Sequence, residues 1–156
     1  MSALPHPEAF VRWFRQTAPY VHAFRGRTFV IGFGGELIAE RGRFAGFLHD
    51  LNLLAALGIR LVLVHGARPQ IEAQLRAKRQ RSRYARGLRI TDANSLVAVK
   101  HAAGVLRVEI EALLSQGLPN SPMAGAQIRV ASGNFIAAKP IGVLDGVDFQ
   151  FTGAVR

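Results

Sequence analysis

Thr28-Phe29-Val30-Ile31-Gly32-Phe33-Gly34-Gly35-Glu36 is the stretch that decides how this chain folds. Its first four residues are β-branched or aromatic, the composition of a short buried strand covered on both faces. Gly32, Gly34 and Gly35 then let the backbone turn sharply and bring main-chain N–H groups near a ligand. Beyond them the pattern predicts an amphipathic helix from about Gly42 to Leu57, with Phe44, Phe47, Leu48, Leu51, Leu54 and Ala55 on one face and Gly58 as its stop. Strand, glycine loop and helix in succession are the layout of an anion site in an α/β protein. Taken alone, the glycines serve a tight turn equally well.

Outward from that stretch, Arg60 to Val64 reads as a second buried strand, parallel to and beside the first. It runs into His65-Gly66-Ala67-Arg68-Pro69-Gln70, where Pro69 opens a helix reaching about Arg79. A basic linker leads to Arg86-Gly87-Leu88-Arg89-Ile90-Thr91-Asp92. Thr91 or Asp92 can cap the following helix, whose apolar stripe is Leu96, Val99, Ala103, Leu106, Ile110 and Leu113. Upstream, Phe10, Trp13, Phe14 and Thr17 recur at helical spacing from Pro7 to His22, and Pro19 is expected to end or kink that helix. The final third is β-like. Ser132-Gly133 reads as a hairpin turn between Gln127–Ala131 and Asn134–Ala138, and Asp145-Gly146 as another turn. Gln150 to Arg156 reads as a strand just begun. The expected organisation is therefore a tail and helix over residues 1–24, then residues 25–156 as the N-terminal portion of a larger domain.

Length and composition set the class. With 156 residues and 49% apolar content the chain can build one domain with a core. No apolar run reaches the roughly 18 residues of a membrane span, and no signal-peptide pattern is present. The absence of cysteine excludes disulfides and thiolate metal sites, and the expected location is the cytoplasm. Net charge is +10, from 17 Arg and 3 Lys against 10 acidic residues. Seven of the basic residues fall between Arg76 and Arg89, a block that could hold nucleic-acid phosphates. No RNA-recognition or helix-turn-helix signature accompanies it, so a solvated basic loop is the preferred reading and no nucleic-acid partner is expected.

The three motifs, in this order and at these separations, resemble the amino-acid kinase family and in particular its N-acetylglutamate branch. Kinases of that branch carry a lysine two places before a glycine pair, a His-Gly-Gly-Gly-Pro loop and a Gly-Leu-Arg-x-Thr-Asp segment. Here Gly32 stands in place of the lysine, and Ala67 and Arg68 in place of two loop glycines. That departure is similar to the regulatory half of the bacterial N-acetylglutamate synthases. The resemblance covers nearly everything from Pro7 onward. It implies an α/β three-layer sandwich with a mainly parallel central sheet, amino-acid kinase-like, preceded by an N-terminal helix.

The resemblance also sets expectations for chemistry. Phosphoryl transfer needs positive charge on the β- and γ-phosphates. Gly32 offers none, and Lys78, Lys100 and Lys139 sit on no glycine loop. Gly32, Gly34, Gly35, His65, Gly66, Ala67 and Arg68 are thus expected to form degenerate phosphate and substrate loops without catalysis, and His65 to hold its loop by hydrogen bonding. In the kinases the arginine matching Arg89 grips the substrate α-carboxylate; here it either keeps that role or forms a structural ion pair, for which Asp92 is the nominated partner. The family's acetyl transfer from acetyl-CoA to L-glutamate belongs to a second domain whose Arg/Gln-x-x-Gly-x-Gly/Ala loop is absent from these residues. What remains is subunit assembly and sensing of L-arginine. Phe10, Trp13 and Phe14 are expected to meet another subunit in a homo-oligomer, and Tyr20 is the one candidate contact for the arginine effector. No metal-ligand spacing appears. An active acetylglutamate kinase and a basic RNA-binding module remain as alternatives.

Overall fold

The computed structural model describes residues 6–115, 128–133 and 135–155. Helix α1 (Pro7–Phe24) leads into strand β1 (Thr28–Phe33), a short helix α2 (Gly35–Ala39) and helix α3 (Arg41–Ala56). Strand β2 (Arg60–His65) follows, then helix α4 (Arg68–Ala77), the strands β3 (Arg83–Ala85) and β4 (Leu88–Ile90), and helix α5 (Ala93–Ser115). Four short strands close the described chain: β5 (Ala138–Pro140), β6 (Val143–Leu144), β7 (Val147–Asp148) and β8 (Gly153–Val155). The α/β architecture, the N-terminal helix and the parallel strands are as the sequence leads one to expect.

β1 and β2 pair in parallel, with Thr28 opposite Arg60 and Phe33 opposite His65. One face of the pair presents Ile31, Phe33, Leu61 and Leu63 to a core of Ile38, Phe44, Leu48, Leu51, Leu106, Ile110 and Leu114. Helices α3 and α5 thus make one covering layer, and burial of their apolar side chains is the main stabilising term. The opposite face corrects the expectation of two covered faces. Val30 is 70% exposed there, and Val62 and Val64 are exposed beside it. A continuous apolar run does not say which of its alternate residues meets a partner within the same segment.

α3 stops where Gly58 takes φ +84°, a left-handed value that suits glycine. α5 begins where the Asp92 carboxylate accepts the Ser95 N–H at 2.7 Å. That bond holds the Asp92 carboxyl below its ordinary value. The α5 stripe is shifted from the expected one: Ser95, Ala98, Ala102, Leu106, Ile110 and Leu114 are buried, while Leu113 is exposed. Two neighbours set that phase. Ala98 and Ala102 let α4 approach with Ile71 and Leu75, and Leu106 onward meets α3.

Three further expectations change. α1 runs through Pro19 to Phe24, with no buried residue anywhere along it. The basic linker is a hairpin, in which Arg86 (φ +53°) and Gly87 (φ +77°) turn between antiparallel β3 and β4. Among the described residues the strands expected on either side of Ser132-Gly133 are not seen: residues 128–133 have no regular structure, and Gln127 and Asn134 lie outside the described residues. Ala138 to Pro140 instead pairs with Gly153 to Val155, so the last strand has a partner within the chain. The Asp145-Gly146 turn between β6 and β7 is as expected. Phe149 is fully buried, and Thr152 Oγ1 donates to the Arg89 carbonyl at 2.6 Å while accepting the Thr91 N–H at 3.0 Å.

Candidate functional site

The two glycine loops meet at the C-terminal ends of β1 and β2, where a parallel sheet presents its ligand crevice. The Gly66 N–H donates to the Phe33 carbonyl at 2.8 Å. A Cβ on Gly66 would lie 3.3 Å from the Gly35 nitrogen. A Cβ on Gly35 would meet Gly66 O and Pro69 Cδ at 3.0 Å each and collide with Gln70 Oε1. Gln70 Nε2 donates to the Gly35 carbonyl at 2.8 Å, fastening α4 to the start of α2. Gly35 and Gly66 are therefore small because the loops pack on each other. Gly34 is the extended residue before α2.

Gly32 is different. It lies within β1 on the open face of the sheet, and a Cβ there would find only Val64 O, 4.0 Å away. His65, half-buried at the end of β2, has Nδ1 3.4 Å from the Gly66 carbonyl oxygen. Ala67 sits between the two apolar clusters and touches both. Arg68 is the first residue of α4, exposed, with its guanidinium carbon 5.1 Å from the Tyr84 ring centre.

Arg89, on β4, joins this group from the hairpin. A shallow pocket between α4 and β3–β4 is lined by Ala67, Arg68, Ile71, Tyr84, Gly87 and Arg89. Three of the expected residues, Ala67, Arg68 and Arg89, come together in it. Tyr20 does not; it is exposed on α1.

The partner of Arg89 is Glu72, not Asp92. Arg89 Nη2 lies 2.7 Å from Glu72 Oε1, and Arg89 Nε donates to Ser82 Oγ at 3.1 Å. The same carboxylate oxygen accepts Ser82 Oγ–H at 2.6 Å and Tyr84 O–H at 2.8 Å. The Arg89 side chain is 13% exposed and that of Glu72 28%. Burial raises the Glu72 carboxyl, but hydrogen bonds from Ser82, Tyr84 and Arg89, together with the Arg89 charge, outweigh it and hold the group at about 2. Sequence reasoning singled out Arg89 and missed Glu72, Ser82, Tyr84 and Gln70 as parts of the site. The one available signal was Arg86-Gly87, which marks a hairpin and so folds Ser82 and Tyr84 back beside Arg89. Among the described residues no group of three His, Cys, Asp or Glu could hold a metal ion.

Comparison with known proteins places these loops in context. The amino acid kinase family matches residues 27–154. The amino-acid acetyltransferase of Ralstonia nicotianae is 53% identical over 152 residues, which is 97% of this chain and 34% of that protein. The enzyme of the same name from Ectopseudomonas mendocina is 54% identical over 147 residues, again covering 34% of its length. The crystal structure of N-acetylglutamate synthase from Neisseria gonorrhoeae complexed with coenzyme A and L-arginine superposes with a TM-score of 0.82 at 41% identity, over 94% of this chain and 34% of that one. Its complex with coenzyme A and N-acetyl-glutamate gives 0.78. The chain spans about a third of the length of these relatives.

Proposed function

The chain belongs to the amino acid kinase family, and from that premise we propose that it is a non-catalytic regulatory and assembly segment of an N-acetylglutamate synthase. In this reading residues 1–24 are an added helix and residues 25–156 the first part of the kinase-like domain. The whole enzyme transfers the acetyl group of acetyl-CoA to L-glutamate in a separate acetyltransferase domain and responds to L-arginine. Its proposed compartment is the cytoplasm.

One observation carries the reading. The loops that would surround transferring phosphates are closed on each other at Gly35 and Gly66, and Gly32 places no cation beside them. Electrostatic stabilisation is the main term in phosphoryl transfer, and loss of a single such contact costs on the order of 10²–10³ in rate. Similarity to acetyltransferases over almost the whole chain supports the same conclusion.

Assembly is assigned to α1. Phe10, Trp13 and Phe14 are exposed along it, with Phe10 stacked on Phe14 at 6.2 Å between ring centres. An apolar patch of this kind is stabilised when a second copy covers it. Tyr20, on the same helix, is the proposed effector contact.

The test uses the protein that carries this chain. ADP release should show no dependence on N-acetylglutamate, while acetyl-CoA should acetylate L-glutamate at a rate that L-arginine changes. ATP turnover that requires N-acetylglutamate would overturn the proposal in favour of a kinase.

A further inference from the structure

We propose that Thr152 is a positioning residue for Arg89: its hydroxyl, carried on a strap that runs from Phe149 to Thr152, clasps the outer edge of β4 and fixes where the Arg89 backbone stands. The clasp reaches Arg89 from 63 residues further along the chain. It stands apart from the non-catalytic reading above, since a kinase built on this chain would hold Arg89 in the same way.

In an antiparallel pair alternate residues turn their backbone groups away from the partner strand. On this hairpin Arg89, opposite Tyr84, is such a residue, and Thr91 is the next. Left bare, they would form an open strand edge. The strap covers it. Thr152 Oγ1 donates to the Arg89 carbonyl at 2.6 Å and accepts the Thr91 N–H at 3.0 Å. The Phe151 N–H donates to the Thr91 carbonyl at 3.0 Å, and Thr91 and Gln150 form a parallel bridge. One hydroxyl thus acts as donor and acceptor at once, which no apolar side chain can do.

The strap is held independently of the hairpin. Phe149 is fully buried, and its N–H donates to the Gly142 carbonyl at 3.0 Å. The Thr152 N–H donates to the Phe149 carbonyl at 3.0 Å, and the Thr152 carbonyl accepts the Ile141 N–H at 2.9 Å. After Thr152 the chain passes directly into β8, which pairs with β5. A displacement of β8 therefore pulls on the Arg89 carbonyl, and by linkage a displacement of the hairpin pulls on β8. The hairpin has a second tie at its tip, the ion pair of Arg86 with Asp145, whose side chains are 59% and 56% exposed. Solvent screening leaves such a pair weak, so the base and not the tip sets the position of the hairpin.

Amide hydrogen exchange, read by mass spectrometry on the protein that carries this chain, tests the clasp. Thr152→Val keeps the side-chain shape and removes the hydroxyl. It should speed exchange across residues 83–91 by about fivefold to tenfold and leave β1 and β2 unchanged. Thr152→Ser, which keeps the hydroxyl, should restore protection to within about twofold of the parent. Asp145→Asn should change exchange in the hairpin by less than about twofold. Equal acceleration in β1, β2 and the hairpin would overturn the proposal, because Thr152 would then serve stability in general. Unchanged hairpin exchange in a folded Thr152→Val overturns it too, as does a larger effect from Asp145→Asn. If Thr152→Val does not fold, Gly87→Ala decides: it strains the hairpin turn, where φ is +77°. Faster exchange in β8 with β1 and β2 unchanged then supports the clasp, and unchanged β8 exchange sinks it.

Discussion

Gly35 and Gly66 lock the two loops together: a Cβ on Gly66 would stand 3.3 Å from the backbone nitrogen of Gly35, and a Cβ on Gly35 would stand 3.0 Å from the Gly66 carbonyl oxygen. The glycine pair that looks like a phosphate cradle in the sequence is a packing contact between two strand ends.

That contact separates glycines that look alike. Gly35→Ala should destabilise the chain by about 1–3 kcal/mol, because its Cβ meets backbone and the Pro69 ring. Gly32→Ala should be neutral or stabilise by up to about 1 kcal/mol, since the site is open and its φ is not left-handed. Urea titration of both variants checks this; equal midpoints would refute the packing role of Gly35.

Restoring the missing cation should not restore a kinase. Gly32→Lys is expected to fold, yet its side chain leaves from the open face of β1. The fairer test is Gly32→Lys with Ala67→Gly and Arg68→Gly, which also clears the second loop. A coupled ADP-release assay with N-acetylglutamate should read background for the single variant.

Acid should loosen the β3–β4 hairpin through Glu72. Its folded carboxyl lies near 2 against an ordinary 4.5, so the stabilisation is complete above pH 4.5 and is lost as pH falls toward 2. Glu72→Gln should cost about 1–3 kcal/mol at neutral pH by leaving Arg89 without its counter-charge. The gap between variant and parent should close as the pH approaches 2. A gap that is constant with pH would show that the charge of Glu72 contributes nothing.

Asn52 offers a test in the core. It is 1% exposed; its Nδ2 donates to the Leu48 carbonyl at 2.9 Å, and Oδ1 has no protein partner among the described residues. Asn52→Asp should destabilise by about 3 kcal/mol or more, since a buried carboxylate there lacks a cation. Asn52→Leu, of similar size, should be near neutral, within about 1 kcal/mol. Thermal melts at pH 7 distinguish the two.

Exposed aromatics on α1 should govern assembly and leave the fold alone. Trp13 is 59% exposed and Phe14 similarly so, and no residue of the helix is buried. Trp13→Glu with Phe14→Glu should lower the sedimentation mass of the oligomer while changing the stability of the subunit by less than about 0.5 kcal/mol. An unchanged oligomer would remove α1 from the interface.

Local signals were the legible ones. Thr28 to Ile31 and Arg60 to Val64 announce the parallel pair by composition, Gly58 announces a helix end, and Asp92 a helix start. α2 escaped notice because five residues behind a glycine pair carry too little periodicity. The β3–β4 hairpin was hidden by its charges, which read as a solvated loop. Glu72 could not be found from sequence, since its link to Arg89 joins a helix face to a strand 17 residues later. The pairing of Ala138 with Val155 was equally non-local. The glycine loops lie at the ends of β1 and β2, and the side chains that pack beside them, Glu72 and Gln70, were not legible.

The core of α3 and α5 carries a consequence for synthesis. Leu51 and Leu106 share one cluster although 55 residues separate them. On a ribosome adding roughly 5–20 residues per second, the apolar side of the β1–β2 pair waits several seconds for its second helix. During that interval a nascent chain offers Ile31, Leu61 and Leu63 to any surface nearby. Helix formation takes about a microsecond or less, so synthesis of α5 sets the length of that interval. The arrival of α5 thus sets when that apolar face of the nascent chain is fully covered.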